Sequence, residues 1–515
     1  RLASASELRD SSTMPARLRS IVSYLAWGIL FGLAYAQSPL YTSNQNQYFL
    51  HGLARAGVGH LSEDWLAGTA DPTPVFSGLV ALTARFLHPN LFYLYFLLLA
   101  AVYYHSLRRI AARLFNLEPP SIAGGVFAAL LFAAHSAALR FALGRGVGGI
   151  WEYAFDGGVA GQRLLGDVLQ PSAFGAFLLV SIQQQLEGRS RRALVAAALA
   201  ATIHPTYLLS AAVLTAAYAV DALRQKHRLS VALQTGGLAL LLVLPILIYV
   251  GRNFLPASAE AQRILVTFRL PAHAIVEDWF DRAAIAKLAW IGLALYLARA
   301  TRLAGLMAVT LGIGVGLTLL QVGLNSDALA LAFPWRVSTI LVPLATAVVA
   351  GAAAGWIATR VRGRGMQMLA GLAIGLSVVS GAAASGLQEI QRRGAPERAV
   401  LEFVKTATAP VQVYLIPPRL QDFRLVTGAP IVADFKSIPY RGDELLDWYE
   451  RNRLLGFFYR DQLSEIDCGL LDEFTNAYGA THVVLEPDQR GLDCPGLQPI
   501  YEDGQYSVYR LDRQG

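Results

Sequence analysis

Long apolar segments separated by short polar ones dominate residues 20–390. A membrane-spanning helix needs about 20 mostly apolar residues, and nine stretches fit that requirement: 20–36, 91–107, 120–142, 166–186, 229–250, 284–299, 302–322, 332–357 and 365–387. The apolar stretch 191–223 is too long for one span and is interrupted at His204-Pro205, so it predicts two short helices meeting there. Segment 75–88 is apolar but too short to be assigned as a membrane span, so its status is left open. The pattern predicts eleven spans.

Basic residues in the short loops predict the orientation of these helices, because cytoplasmic loops carry an excess of Lys and Arg. Six clusters occur: Arg17 and Arg19; Arg108, Arg109 and Arg113; Arg189, Arg191 and Arg192; Arg224, Lys226 and Arg228; Arg299 and Arg302; Arg360, Arg362 and Arg364. All six are cytoplasmic if segment 75–88 does not cross fully. Counting this segment as a span would place the clusters from Arg189 onward on the outer side of the membrane.

This orientation predicts a cytoplasmic tail at 1–19 and a transmembrane domain at 20–390. The longer loops, 37–74, 143–165 and 252–283, lie on the outer side, together with a domain at 395–515. We therefore expect a multi-pass protein of a bacterial inner membrane, with its C-terminal domain on the periplasmic or extracellular side. The fold class predicted is mainly α, with a small α/β domain outside the membrane.

Composition agrees with this organisation and excludes nucleic acid as a partner. The chain has 515 residues, of which 54% are hydrophobic and 15% charged, against about 25% charged in soluble proteins. Its net charge of +7 is an average. Residues 395–515 hold 12 Lys/Arg and 19 Asp/Glu, so the sparsely charged membrane part is basic and the outer domain acidic. The positive charge therefore reflects membrane orientation.

The outer domain has the alternating pattern of an α/β layer. Strands are predicted at 411–416, 430–433, 481–485 and 506–511, and helices at 399–405 and 443–453. Cys468 and Cys494 either pair in an oxidising compartment or remain two buried thiols. Asp422-Phe423-Arg424 and Asp434-Phe435-Lys436 either line a groove facing the membrane domain or are ion-paired loop residues.

Apolar residues recur at helical spacing in the first outer loop, at Tyr48, Phe49, Leu50, Leu53 and Ala54. The spacing predicts an amphipathic helix lying on the membrane. Glu63, Asp64 and Asp71 follow, and Trp65 is of a type that anchors at membrane interfaces. A capped loop with solvated acids accounts for the same residues, so both interpretations stay open.

The loop resembles the first outer loop of the GT-C glycosyltransferases. The resemblance rests on a polar pair, an aromatic residue, an amphipathic helix, an acid-Trp pair and a Pro-bounded return, here at Asn44-Gln45, Tyr48, Asp64-Trp65 and Asp71–Pro74. Members of this family take a sugar from a polyprenyl-phosphate carrier and transfer it to lipid, protein or glycan outside the cytoplasm. The resemblance implies such a sugar donor, a membrane-lipid environment and an outward-facing site.

The polar pair departs from the family pattern. In many members it is Asp-Glu, whereas the amides of Asn44 and Gln45 cannot take a proton at neutral pH. Either a nearby carboxylate (Asp64, Glu63 or Asp71) acts as the catalytic base, or transfer activity is altered or lost. Asn44, Gln45, Asn46 and Trp65 are then predicted to bind sugar or acceptor.

A carrier phosphate at the outer face needs fixed guanidinium donors. Arg269 and Arg336 are the candidates, with His273 as a helper and Arg145 as a further binding residue. Snorkelling or structural ion pairing would account equally for each arginine. These roles are therefore hypotheses.

Other chemistry has little support in the sequence. The nine His are scattered without a metal-binding motif, so no resident metal is predicted, although Glu63, Asp64 and Asp71 leave a divalent cation open. Besides a transferase, two alternatives remain. One is a binding or assembly subunit working with other envelope-assembly membrane proteins. The other is a transporter of lipid-linked glycans, which the lack of repeat halves disfavours.

Overall fold

Helices form most of the described chain up to residue 393. The computed structural model describes residues 16–117, 121–225, 228–361, 363–460, 468–487 and 494–511. The helices in this part are α1 Ala16–Tyr35, α2 Gln45–Tyr48, α3 Leu50–Ala56, α4 Pro74–Phe86, α5 Leu91–Phe115, α6 Ile122–His135, α7 Ala137–Gly146, α8 Ala176–Leu186, α9 Ser190–Ile203, α10 Leu208–Arg224, α11 Leu229–Phe254, α12 Ala259–Ile264, α13 Pro271–Ala274, α14 Val276–Trp279, α15 Arg282–Leu297, α16 Arg302–Gly323, α17 Asp327–Leu331, α18 Ser338–Arg360 and α19 Arg364–Arg393.

Several of these helices are membrane spans by length and composition. Among the described residues, six helical segments qualify: Leu91–Phe115, Pro205–Arg224, Leu229–Phe254, Arg302–Gly323, Asp327–Arg360 and Arg364–Arg393. A seventh is added if α6 and α7, bent by 47°, form one span. Helix α11 exposes many leucines along its length, and an all-round apolar surface of this kind faces lipid. The chain is therefore a polytopic helical membrane protein.

The remaining predicted spans correspond to shorter helices, so the count of eleven stays a prediction. The apolar part of α1 covers Ile21–Tyr35, and α8, α9 and α15 have 11, 14 and 16 residues. Helix α4, which corresponds to segment 75–88 and is not among the eleven predicted spans, has 13 residues. Residues 1–15 of the predicted tail lie outside the described residues, as do Lys226, Arg362 and the side chain of Arg17.

Two breaks in the apolar pattern test the sequence predictions directly. The predicted interruption at His204-Pro205 is confirmed, since α9 ends at Ile203 and α10 begins at Leu208. The prediction of one helix over 166–186 is wrong in its first part. Gln170 is extended before Pro171, as a residue preceding proline usually is, and α8 begins only at Ala176.

The helices pack through aromatic side chains and close backbone contacts. Phe31 of α1 stacks on Tyr104 of α5, with ring centroids 5.2 Å apart, and meets Phe132 of α6 edge-on at 5.4 Å. Such pairs add to the stabilisation that burial provides. Helices α1 and α19 approach so closely that a Cβ at Gly381 would lie 2.0 Å from the carbonyl oxygen of Leu33.

The C-terminal domain is a small α/β unit outside the membrane. Its elements are α20 Arg398–Ala407, β1 Tyr414–Leu415, α21 Phe423–Thr427, α22 Gly442–Phe458, α23 Cys468–Tyr478, β2 His482–Leu485, β3 Leu497–Glu502 and β4 Ser507–Leu511. The sheet has the order β1-β2-β4-β3, with β1 and β2 parallel and the other pairs antiparallel. Pro499 lies in β3, at the sheet edge, where a missing N–H is tolerated.

Most predicted elements of this domain are confirmed, and two strands are shorter than predicted. The strand predicted at 411–416 is reduced to β1, Tyr414–Leu415. Residues 399–405, 443–453 and 481–485 lie in or form α20, α22 and β2, and 506–511 corresponds to β4. The predicted strand at 430–433 is only a bridge, in which Ile431 lies opposite Tyr414. The chain turns away at Asp434, which ends the pairing. Cys468 and Cys494 form a disulfide, which decides between the two sequence alternatives.

The contact between α1 and α19 predicts a position-specific effect of adding one methyl group. We expect Gly381→Ala to destabilise the protein by about 1–3 kcal/mol, because backbone atoms of α1 must shift. Gly375→Ala, in the same helix but with open space around it, should be neutral or stabilising by up to about 1 kcal/mol. Thermal unfolding in detergent measures both. Equal melting temperatures for the two variants would contradict the packing.

Candidate functional site

A cavity of about 310 Å³ lies where the membrane domain meets the C-terminal domain. We call it the basic cavity. Its walls come from the loop before α2, the segment 161–172, the break between α9 and α10, the segments before α13 and α18, and the C-terminal domain. Its lining residues are Ser43, Asn44, Gln47, Tyr48, Gly161, Gln162, Arg163, Gln170, Ser172, His204, Thr206, Arg269, Leu270, His273, Phe333, Arg336, Lys436, Ile438 and Tyr440.

The charge of these walls is all of one sign. Arg163, Arg269, Arg336 and Lys436 line the cavity, and none of its described lining residues is Asp or Glu. Nη1 of Arg163 and the Nε atoms of Arg269 and Arg336 are buried and have no hydrogen-bond partner. Leaving buried charged donors unpaired is costly. An anion in the cavity would compensate the positive charge of these three side chains.

Local backbone geometry holds Arg269 and Arg336 in place. Arg269 ends a π-helical turn, Leu265–Arg269, just before Pro271, and its Nη2 donates to the carbonyl of Lys436 at 2.9 Å. Arg336 lies in the 3-10 turn Pro334–Val337, which leads into α18. Its guanidinium lies 5.6 Å from the ring centroid of Tyr207, and its Nη1 is 3.4 Å from Nε2 of His204. Both side chains are therefore held by contacts with neighbouring groups.

Arg163 is held by an aromatic face. Its guanidinium carbon lies 3.6 Å from the ring centroid of Tyr153. The Tyr153 hydroxyl in turn donates to Oδ1 of Asp167 at 2.8 Å, and Asp167 also accepts from Arg140 at 2.9 Å. Cation–π contact fixes a guanidinium without using up its N–H donors. Arg163 thus keeps donors free for a ligand.

The positive charge also affects the titration of His273 and Lys436. Burial lowers the pKa of His273; the contact of Nδ1 with the carbonyl of Ala160, at 2.7 Å, opposes that shift, and the three cavity arginines lower the pKa further. Burial and the nearby Arg269 likewise lower the pKa of Lys436. Both shifts have the sign expected where positive charges crowd together without an anion.

Four of the predicted site residues meet in this cavity: Asn44, Arg269, His273 and Arg336. The four other predicted binding residues, Gln45, Asn46, Trp65 and Arg145, do not line it. Gln45 is bound to backbone groups of Tyr41 and Leu169, Asn46 donates to Asp422, and the exposed Arg145 contacts Phe141. The structure therefore joins the predicted phosphate-binding arginines to only one of the predicted amides.

The predicted catalytic carboxylates also lie outside the cavity, each with its own partners. Asp64 is buried against Arg424 at 3.0 Å, and Glu63 accepts from the backbone N–H of Val411. Asp71 pairs with Arg55 at 2.8 Å. Trp65 lies under the guanidinium of Arg451 in the C-terminal domain, 4.3 Å from it. No group of three or more metal-ligating side chains is found in the part of the chain that the structure describes.

Arg163 and Tyr440 were not predicted from the sequence, and the role of Lys436 was left open. Arg163 follows a glycine-rich run in loop 143–165, the loop in which Arg145 was predicted to bind ligand. Tyr153 in the same loop is the sequence signal that could have marked Arg163. Lys436 belongs to the tripeptide Asp434-Phe435-Lys436. Each of the two alternatives for this tripeptide and for Asp422-Phe423-Arg424, lining a groove or forming ion pairs, applies to some of their residues. Asp434 and Arg424 are ion-paired, while Lys436 lines the cavity.

A family model described as a domain of unknown function, DUF6798, matches residues 395–455, which include Arg424, Asp434 and Lys436. No curated protein sequence matches the chain. Among solved structures, the chain is similar to ArnT from Cupriavidus metallidurans. The apo structure is 16% identical, covering 96% of this chain and 98% of that one, with a TM-score of 0.43. The structure bound to undecaprenyl phosphate is 14% identical, covering 97% and 99%, with a TM-score of 0.44.

The charge of the cavity predicts anion binding that depends on its arginines. We expect Arg269→Gln and Arg336→Gln each to weaken binding of a prenyl monophosphate by about tenfold or more, because each removes a charge-assisted donor. The matched control is Arg263→Gln, an exposed arginine six residues before Arg269 that does not line the cavity. Binding to purified protein in nanodiscs measures the effect. Equal losses in all three variants would contradict the assignment.

The lowered pKa of His273 gives that binding a defined pH dependence. A bound anion favours the imidazolium, so binding takes up a proton and affinity rises as the pH falls through the titration of His273. The phosphate also titrates, near pH 6, but equally in a His273→Gln variant. The ratio of wild-type to variant affinity should therefore increase between about pH 7.5 and 5.5. Parallel pH profiles would show that His273 does not respond to the anion.

Proposed function

We propose that this chain is a membrane glycosyltransferase that takes a sugar from a polyprenyl-phosphate carrier and transfers it to a lipid, glycan or protein acceptor. The basic cavity carries the proposal: four basic side chains face it, three buried guanidinium atoms lack a partner, and no described lining residue is acidic. Such a site suits a phosphate group. The basic residues in the short loops support a location of the cavity at the outer face of the membrane.

An apolar groove beside the cavity supports a carrier with a long hydrocarbon chain. The groove has a volume of about 400 Å³, lies between α9, α10 and α11, and is lined mainly by alanine, leucine and valine. Leu208 at its wall is two residues from Thr206 at the cavity wall. A polyprenyl chain in the groove would place its phosphate end toward the arginines.

The chemistry follows from the charges. Attack of an acceptor hydroxyl on the anomeric carbon breaks the bond between that carbon and the phosphate oxygen, and the carrier phosphate leaves with the electron pair. Fixed positive groups stabilise that developing charge, so the leaving group needs no proton. The acceptor's proton passes to the neutral imidazole of His273, which lines the cavity. The imidazolium formed then pairs with the released phosphate.

The position of the carboxylates favours a second candidate function. Asp64, Glu63 and Asp71 are engaged with other groups outside the cavity, and the expected acidic pair is Asn44-Gln45. A protein with these features would bind the lipid-linked sugar without transferring it, as a binding or assembly subunit of a membrane complex. Binding is common to both candidates, and only transfer separates them.

Transfer is tested with the purified protein in nanodiscs, a synthetic polyprenyl-phosphate sugar and membrane extract as acceptor. We expect release of polyprenyl phosphate, reduced about 100-fold or more by Arg336→Gln, because a preorganised charge at the leaving group is lost. Arg263→Gln should retain wild-type release. Binding of the donor without release would support the binding subunit. Absence of binding by the wild-type protein would overturn both.

A further inference from the structure

Three charged side chains are buried together where the first loop meets the C-terminal domain. Arg424, Asp64 and Asp434 are 1%, 2% and 3% exposed, so water does not compensate their charges. Nε of Arg424 lies 3.0 Å from Oδ2 of Asp64, and its Nη1 lies 3.2 Å from Oδ2 of Asp434. Burial of a charged group is tolerated only with such partners. Removing one partner leaves the others uncompensated.

Each carboxylate of this triad also fixes a particular piece of backbone. Asp64 accepts from the N–H of Leu66 in its own loop and from the N–H of Ile431 in the C-terminal domain, both at 3.0 Å. Asp434 accepts from the N–H of Ser437 at 2.6 Å, which closes a turn. The triad therefore joins the first loop to the start of the segment 434–440.

That segment is one wall of the basic cavity. Lys436, Ile438 and Tyr440 all line it. The carbonyl of Lys436 accepts from Arg269 at 2.9 Å, so the same residue offers its ammonium group to the cavity and orients an arginine beside it. The first loop holds the segment from the other side, since the Gln47 amide and the Ile438 backbone exchange two hydrogen bonds.

We propose that Asp64, Arg424 and Asp434 form a positioning triad, which sets the segment 434–440 so that Lys436 and Arg269 face a bound phosphate. Asp64 acts through Arg424 and Asp434, and none of the three lines the cavity. The proposed role of Asp64 is therefore different from the catalytic role that the sequence suggested for it. The inference rests on the proposed phosphate site, and it assigns part of that site to the C-terminal domain.

A double-mutant cycle separates positioning from general stabilisation. Binding of farnesyl monophosphate is measured in nanodiscs for wild type, Asp434→Asn, Lys436→Gln and the double variant. We expect Asp434→Asn to weaken binding about tenfold in the wild-type background and by a clearly smaller factor in the Lys436→Gln background, because part of the lost effect runs through the Lys436 side chain and the rest through Arg269. Full additivity would overturn the proposal.

Two further variants keep this test decisive. Asp447→Asn is the matched control: Asp447 pairs with Arg451 on α22, is half exposed and lies away from the cavity, so binding should be unchanged. If Asp434→Asn loses its melting transition, Asp64→Asn replaces it in the cycle, because an amide oxygen can still accept from Ile431. A folded Asp64→Asn protein with wild-type affinity would overturn the proposal.

The same measurements distinguish failure of the phosphate site from failure of the positioning role. If wild type does not bind farnesyl monophosphate and Arg269→Gln has no effect, the phosphate site itself is wrong and the inference falls with it. If wild type binds, Arg269→Gln weakens binding and the cycle is additive, the site stands and only the positioning role is wrong. If Asp447→Asn weakens binding as much as Asp434→Asn, the loss comes from the domain as a whole, which also overturns the inference.

Discussion

Positive charge without local compensation is the constraint around which this molecule is arranged. Arg163, Arg269, Arg336 and Lys436 converge on one cavity whose described walls contain no carboxylate. Elsewhere in the described chain, buried arginines such as Arg140 and Arg424 lie against Asp side chains. Because unpaired buried donors are unfavourable, the charge of the cavity favours a bound anion.

Neither domain makes this cavity by itself. The first loop, the segments before α13 and α18 and the break between α9 and α10 provide most of the walls, while the C-terminal domain closes one side through residues 436–440. Hydrogen bonds between the domains maintain the closure, among them Asn46 to Asp422 and Ala70 to Glu444. The C-terminal domain is thus a part of the proposed phosphate site.

The sequence predicted the helices and two of the arginines because both leave local signals. Apolar length marks the spans, and Arg269 and Arg336 stand out as charges next to Pro271 and Pro334 at the edges of apolar segments. The two short helices that meet at His204-Pro205 followed from the same reasoning, since proline ends a helix. These features depend on neighbours in the chain.

The partners of the carboxylates could not be predicted, because they are distant in sequence. The sequence suggested Asp64, beside Trp65, as a catalytic residue. In the structure its carboxylate pairs with Arg424 and accepts a hydrogen bond from the backbone N–H of Ile431. Nothing local to residue 64 records those contacts. For the same reason Lys436 and Arg163, which lie in different domains, could not be placed on one cavity.

A cryo-EM structure of the protein in nanodiscs with a bound polyprenyl phosphate would show most directly whether the basic cavity binds phosphate. We predict phosphate density within hydrogen-bonding distance of Arg269 and Arg336, with the hydrocarbon chain running toward the groove between α9, α10 and α11. Phosphate density at another site, with the basic cavity empty, would contradict it.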